Sequence, residues 1–413
     1  MTSQHHAAPA SPLSDHAAAA QVIGLARLMT LAFHGEDLRP AASALIARAE
    51  RDEADSAALM DLSTVLFLQG LRDLGLATQA QALALNRLYR LQPPESATPR
   101  LRVLALMAPG DLMTNTPLSF LVEDGDVVLD MLYLLPGEGL PAVLPVHDLL
   151  FMAISESDAT RGLLERLAAE LSARAVVNHP ANILRTARDQ AFVALRDAPG
   201  IVMPASVRAG RLLLEAVAEG RLLISELLED GRFPLIVRPV DSHAGHGLER
   251  VATPLELLAY LSCRKEDTFF ASNFIDYAQA DGLFRKYRVV LVDGVPYAAH
   301  MGVSTHWMIH YLNAGMTESV AKREQEAAFM ESFDSHFAVR HREALAALGH
   351  RIGLDYLVVD CAETPQGELL VFEIDPGAVV HRMDPPDLFA YKRGCMDRLY
   401  AGFQALLDRR ARR

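Results

Sequence analysis

Between residues 17 and 92 the apolar positions recur at helical spacing. Val22-Ile23-Leu25-Ala26-Leu28-Met29 and Leu59-Met60-Leu62-Val65-Leu66 each form an apolar stripe, and Ala, Leu, Met and Gln dominate with few β-branched residues. Breaks at His34-Gly35-Glu36-Asp37, Arg51-Asp52-Glu53-Ala54-Asp55 and Gln69-Gly70 divide the stretch into about four helices in two hairpins. Gln92-Pro93-Pro94-Glu95-Ser96-Ala97-Thr98-Pro99 reads as a linker. After it, strands and helices alternate: strands at Leu101–Met107 and Leu149–Ser155, a helix over Arg161–Ser172, and a strand at Ala175–Asn178. Such alternation predicts a parallel sheet with helices on its faces and ligands at the carboxyl ends of its strands. Asn115-Thr116-Pro117 and Asn178-His179-Pro180 follow two of these strands and either line a cleft or simply turn the chain.

From about 183 the pattern changes again. Helices are expected over Ile183–Leu195 and Arg211–Leu228, strands at Phe233–Val240 and Leu248–Val251, and a helix opened by Thr253 and Pro254. Further strands are expected at Phe269–Ile275 and Arg288–Val292. A hairpin follows: Leu354 to Asp360, a turn at Thr364-Pro365-Gln366-Gly367, then Glu368 to Glu373. Side chains alternate faces along a strand, so Glu373 and Asp375 share a face, with Asp360 roughly across from them. Carboxylates about 5 Å apart repel by roughly 3 kcal/mol at an effective dielectric near 20. A divalent cation relieves that repulsion, and Mg²⁺ suits a site of few carboxylates completed by phosphate oxygens. A solvated acidic face is the alternative reading.

Composition narrows the class. The 413 residues suffice for two or three domains, and 51% of them are apolar, enough for real cores. A formal charge of −13 argues against a nucleic-acid partner held through phosphates. Cys263, Cys361 and Cys395 are too scattered for a metal knot or a disulfide framework, which fits a reducing cytosol. No apolar run is long enough to span a membrane. Residues 1–16 read as a disordered tail with no signal-peptide pattern.

The loop Asp241-Ser242-His243-Ala244-Gly245-His246-Gly247, following Arg238, can fold over phosphates. Glycine lets the backbone approach closely, successive N–H groups cradle an anion, and Arg238 neutralises charge. Neither a P-loop nor a Gly-x-Gly-x-x-Gly fingerprint is present, and a glycine-bearing hairpin loop is the ordinary alternative. His243 and His246 read as loop groups rather than metal ligands. The pair His306 and His310 lacks the glutamate of a zinc-protease helix, and Trp307 lies between them in an expected mobile loop.

In order and spacing these features resemble the ATP-grasp superfamily, of the carboxylate–amine ligase type represented by glutathione synthetase and D-alanine–D-alanine ligase. The resemblance covers about residues 100–400. Val177-Asn178 through Arg188-Asp189-Gln190 resembles the early strand, helix and Asp-Lys pair. Arg238-Pro239 with the loop to Gly247 resembles the Lys-Pro strand and glycine-rich loop. Ala271-Ser272-Asn273-Phe274-Ile275 resembles the adenine hinge, Arg288 the arginine of the next strand, and Asp360 with Glu373-Ile374-Asp375-Pro376-Gly377 the metal-binding acids. The chain departs by Arg for Lys at 238, Gln for Lys at 190, and Asp for Asn at 375; Arg185 or Arg188 can offset the cation missing at 190.

The resemblance implies α/β and α+β architecture: a small Rossmann-like pre-domain over 98–182 and a two-subdomain ATP-grasp domain over 183–413, preceded by an α-helical domain with its linker over 17–97. Ala58–Pro93 resembles one tetratricopeptide unit; a small helical bundle is the other reading of that region. The implied activity is ATP-dependent ligation of a carboxylate to an amine, on amino acids or peptides, with ATP and Mg²⁺ as cofactors. Arg288 and Arg238 would act on the phosphates. Asp241, Ser242, His243, Gly245 and Gly247 would cradle them, with the hinge on the base. Asp360, Glu373 and Asp375 would hold metal, and His381 and Arg382 would receive the substrate carboxylate. For Arg382, a plain surface position before Pro385-Pro386 is the alternative. A protein partner on the N-terminal helices and a homodimer are further expectations. A degenerate nucleotide-binding scaffold and a kinase on the same fold are the competing functions.

Overall fold

The computed structural model describes residues 18–240, 242, 245–310 and 314–412. The expectations placed on the tail 1–16 and on Asp241 and His243 fall outside the described residues. The chain is a mixed α/β protein whose described residues form three sheets, and it divides into two compact units.

The first unit runs to Ile154 and takes in Glu170–Val176. It opens on four helices, Leu25–Phe33, Arg39–Arg51, Ser56–Leu68 and Arg72–Leu85. The first three share a core of Leu28, Leu45, Ala58, Leu62, Val65 and Leu66. The Asp55 carboxylate caps the third helix at the Ala58 amide and also holds Arg48. Gly75 lets the last two helices close together, since a Cβ there would come within 2.6 Å of the Phe67 ring. These helices share their unit with a five-stranded sheet in the order Ala20–Gln21, Leu88–Leu91, Val127–Tyr133, Leu101–Met107, Leu149–Met152. The Leu101–Met107 strand lies parallel to both of its neighbours. Leu88–Leu91 has no expected counterpart; it pairs antiparallel to Val127–Tyr133, and Arg90 forks onto the buried Asp130 at 2.6 and 2.8 Å.

The second unit comprises Ser155–Ala169 and Val177 onward. A four-stranded antiparallel sheet runs Ser206–Gly210, Thr268–Asn273, Leu235–Pro239, Glu249–Val251. Helices Arg211–Ala218 and Pro254–Ser262 share its core around Leu214, Val237, Leu257, Leu261 and Phe269. Thr253 caps the second of these helices through the Glu256 amide. A five-stranded sheet runs Val295–Ser304, Phe284–Val292, Tyr356–Glu363, Leu369–Asp375, Ile201–Val202. The closing helix Lys392–Ala411 buries Leu399, Phe403 and Leu407, with Phe403 edge-on to Tyr356.

Several elements differ from expectation. Ala175–Asn178 forms no strand of these sheets. The helix expected over Ile183–Leu195 is cut at Ala187, whose backbone is extended, leaving Arg188–Leu195 as a separate helix. The helix expected over Arg211–Leu228 ends at Ala218 and resumes only as Ile224–Leu227. The expected hairpin forms, with Asp360 opposite Glu373 and a register shift just after Asp360.

Asn178 is a fastener within this unit. It is fully buried at φ +60°, and its side chain exchanges hydrogen bonds with both backbone groups of Tyr356 at 2.9 Å while its own amide donates to Asp355. Asn tolerates that left-handed conformation better than other L residues. Asn178→Ala strands two backbone groups and adds strain. Urea denaturation should show a loss of about 3 kcal/mol.

Candidate functional site

Strand alternation and register bring charges from both sheets of the second unit within electrostatic reach of one another. Arg238, near the end of Leu235–Pro239, is 7% exposed. Its guanidinium donates to the Ser242 hydroxyl at 3.0 Å and to the Ser242 carbonyl, tying Ser242 back to the strand that carries Arg238. Two loop glycines have positive φ, and at Gly247 a Cβ would strike the Pro239 ring at 2.8 Å. Burial, then Arg188, push the Arg238 guanidinium down to about 10, with Glu373 opposing, so it stays charged at neutral pH.

On the facing sheet Asp360 is buried and fully engaged. Arg288 forks onto both of its oxygens at 2.8 and 3.0 Å, and Lys286 Nζ reaches the second at 2.7 Å. Burial alone would raise this carboxyl; Arg288 and Lys286 overcome it and hold Asp360 well below the usual carboxylate range. Arg288 also donates to the Val379 carbonyl at 2.9 Å. Glu373, across the ladder, is held by Arg188, which reaches its Oε1 at 2.5 Å and the Phe372 carbonyl at 3.1 Å. Burial opposes and Arg188, then Arg238, prevail, so Glu373 too lies below its ordinary value. Among the described residues no cation is in ion-pair contact with Asp375, although the Arg288 charge reaches it. Asp375 accepts the Gly377 amide at 2.7 Å, and burial followed by the Glu373 charge raise it to about 7.

Arg188 thus supplies a cation beside Glu373, whereas Arg185 turns to the Arg351 carbonyl and Gln190 is exposed. Of the hinge residues, Ala271 is buried in the sheet core. Ser272 is a central ladder residue, paired with both Ser206 and Ile236. Asn273 is committed to the turn before Phe233, holding the Glu229 carbonyl at 3.1 Å and the Arg232 amide at 3.3 Å. Phe274 and Ile275 form an apolar wall with Trp307, which meets the Phe274 ring edge-on at 5.7 Å, while Arg250 covers Phe274 at 4.6 Å. His381 lies within reach of the Arg288 and Lys392 charges, and burial brings it down to about 4. Arg382 is turned onto the closing helix, its guanidinium 3.7 Å from the Tyr400 ring centre and 3.4 Å from Asp397. The structure therefore brings Arg238, Arg288, Asp360, Glu373, Asp375 and His381 together and leaves Arg382 outside.

Sequence reasoning passed over Lys286 and His300, and weighed His310 only as a metal ligand beside His306. Lys286 precedes Arg288 by two residues on one strand, so alternation alone puts it on the same face. His300 stands opposite Arg288 in the ladder, and burial followed by Arg288 drives it well below its ordinary value. His310 is lowered by burial, then by Lys286 and Arg288. Behind the site, buried Lys392 bridges Asp384 at 2.8 Å and Glu326 at 3.2 Å, anchoring the loop that carries His381.

Among the described residues no group of three or more His, Cys, Asp or Glu side chains is gathered as metal ligands. The donor chemistry nonetheless suits one divalent cation on two carboxylates. Glu373 and Asp375 are only partly buried, share a face and repel each other, while Asp360 is occupied by its two cations. Four cations, Arg188, Arg238, Lys286 and Arg288, meet three carboxylates, leaving positive charge in excess for an anionic ligand.

No family model matches the chain, and no curated protein matches it in sequence. Solved structures similar to it include the VanG D-Ala:D-Ser ligase from Enterococcus faecalis, 15% identical with TM-score 0.46, covering 75% of this chain and 99% of that one. The D-alanine-D-alanine ligase from Coxiella burnetii is 13% identical with TM-score 0.45, covering 75% and 96%. A RimK domain ATP-grasp protein from Sphaerobacter thermophilus is 16% identical with TM-score 0.41, covering 74% and 99%. Overlap of that order assigns no residue roles. Among the described residues no helix is long and apolar enough to cross a membrane.

Asp375 yields a pH test. Its folded value lies above its unfolded one, so its contribution to stability is fully present below the ordinary carboxylate range and is lost as pH climbs toward 7. Asp375→Asn should therefore match wild type near pH 4 and gain with rising pH. Discounted for its partial exposure, the gain levels off above about pH 7 at roughly 1–2 kcal/mol in urea midpoints.

Proposed function

We propose that the chain is an ATP-dependent ligase that joins a carboxylate to an amine through an acyl phosphate, using an ATP-grasp arrangement of the two sheets in its second unit. The observation that carries this reading is the shared electrostatics of one cleft. Arg238 on one sheet and Glu373 on the other perturb each other, with Arg188 at both, and the cations outnumber the carboxylates.

In this reading the nucleotide base rests against Phe274, Ile275 and Trp307. Arg238 with the loop through Gly247 takes the phosphates on one side, and Lys286 and Arg288 meet them on the other. The substrate carboxylate attacks the γ-phosphorus, the bond to the β-phosphate oxygen breaks, and ADP leaves. Arg288 and Arg238, already fixed in place, stabilise the charge as it moves. The amine then attacks the acyl carbon, inorganic phosphate departs, and the amine's proton goes to water. No side-chain nucleophile is needed; positioning does most of the work. Glu373 and Asp375 would hold Mg²⁺, which when bound spreads the charge of the phosphate oxygens. Asp360 joins that ligand set only by exchanging a cation, so its first role is to fix Arg288 and Lys286. His381 contributes a neutral imidazole beside the carboxylate position.

ADP and phosphate should appear only when a carboxylate and an amine are supplied together. Arg238→Ala and Glu373→Gln should each lower kcat/KM by about 100-fold or more, measured by coupled ADP release. Unchanged turnover in Glu373→Gln would remove the metal assignment. A second reading, a nucleotide-binding protein without turnover, is favoured by the engagement of Asp360 and by Gln at 190. Its signature is a melting point raised by Mg·ATP with no ADP formed under any substrate pair.

A further inference from the structure

The first unit contains a cavity of about 90 Å³ between its helices and its sheet. Apolar side chains supply most of its wall, among them Met60, Phe67, Leu91, Met107, Leu129 and Met131. It borders the ends of Leu101–Met107 and Val127–Tyr133, two neighbouring parallel strands, and the carboxyl edge of a parallel sheet is where such folds take ligands.

Two acids line this wall: Asp111, which is paired with Arg72, and Asp61. Asp61, on helix Ser56–Leu68, is 2% exposed. Its Oδ2 accepts the Ile23 amide at 2.8 Å and its Oδ1 the Gly24 amide at 3.1 Å. A carboxylate offers about four acceptor positions, so the two backbone bonds leave half of them unused. Among the described residues no cation is in ion-pair contact with Asp61. Arg48, whose charge acts on Asp61, is tied to Asp55, and Arg72 is tied to Asp111 on the cavity rim. A buried carboxylate without a counter-ion is unfavourable unless something answers it. Four hydroxyls line the same cavity: that of Thr64 donates to the Met60 carbonyl and that of Ser119 accepts the Ala26 amide, whereas that of Thr116 is buried without a partner and that of Tyr133 makes no hydrogen bond among the described residues.

We infer that this cavity binds a small apolar ammonium compound, its charged nitrogen on Asp61 and its carbon body among the methionines and Phe67. The nitrogen donates to the spare lone pairs of Asp61 and to the Tyr133 hydroxyl, and the aromatic faces suit a cation. A cavity of about 150 Å³ accepts a six-carbon ring, so this one matches a branched chain of roughly four or five heavy atoms. The inference rests on the first unit alone and is independent of the reading of the second.

Isobutylammonium chloride is the probe, with isobutanol as its uncharged isostere and sodium chloride at equal ionic strength as control. Thermal melts of the full chain should rise by several degrees with the ammonium salt and not with the other two. Asp61→Asn should lose the response. Because that change also touches two backbone contacts, Ala105→Leu, which fills the cavity from the sheet side, gives a second variant, and it too should be unresponsive. Equal shifts with amine and alcohol, no shift with either, or a full response in Ala105→Leu overturns the inference.

Discussion

A carboxylate can be buried in a sheet only if its charge is answered on the spot, and Asp360 is answered twice. Arg288 and Lys286, one turn of the pleat apart on the neighbouring strand, converge on it from the same face. The pairing is direct: Asp360 lies opposite Arg288 in the ladder on one side and opposite Glu373 on the other. Ladder register therefore fixes which charges meet. A slip by one residue would send Asp360 to the other face and leave Arg288 and Lys286 unmatched. Removing Asp360 alone would leave two half-buried cations without their partner, the costlier half of a broken pair.

The remaining charges take their meaning from that pair. Arg288, fixed by Asp360 and by the Val379 carbonyl, tethers the start of the loop that carries His381. Lys392 fastens the far end of the loop through Asp384, and Glu326 ties Lys392 in turn to strand Val295–Ser304 by accepting the Met301 amide. Arg188 neutralises Glu373 and repels Arg238, so the two sheets present an uneven balance with positive charge to spare. Asp375 is the discontented member, raised by burial and by Glu373. A site in which one acid is held uncomfortably and the cations outnumber the acids is poised for a ligand bringing phosphates and a divalent ion together.

Much of this was legible in the chain. The period-two alternation on either side of Thr364-Pro365-Gln366-Gly367 gave the hairpin, and with it the meeting of Asp360 and Glu373. The helical stripes before residue 92 gave four helices. Other features depend on tertiary packing that no local pattern encodes. Arg382 sits beside His381 in sequence yet lies on Tyr400, because a guanidinium beside an aromatic ring and an acid finds its partners there. Asn273 has the composition of a hinge residue, but its amide is spent on the carbonyls of Glu229 and Asp230. Lys286 could have been read from its spacing to Arg288; its significance appears only once Asp360 stands across the ladder. The buried Asp61 carries no signal in sequence beyond an acid within an apolar helical stripe.

The most direct test of the central claim is a crystal structure of the full chain with a non-hydrolysable ATP analogue and Mg²⁺. The account predicts the analogue's terminal phosphate within hydrogen-bonding distance of Arg238 and Arg288, the metal on Glu373 and Asp375, and the base against Phe274 and Trp307. An analogue bound elsewhere, with Arg238 and Glu373 opening onto separate solvent-facing surfaces, would contradict it.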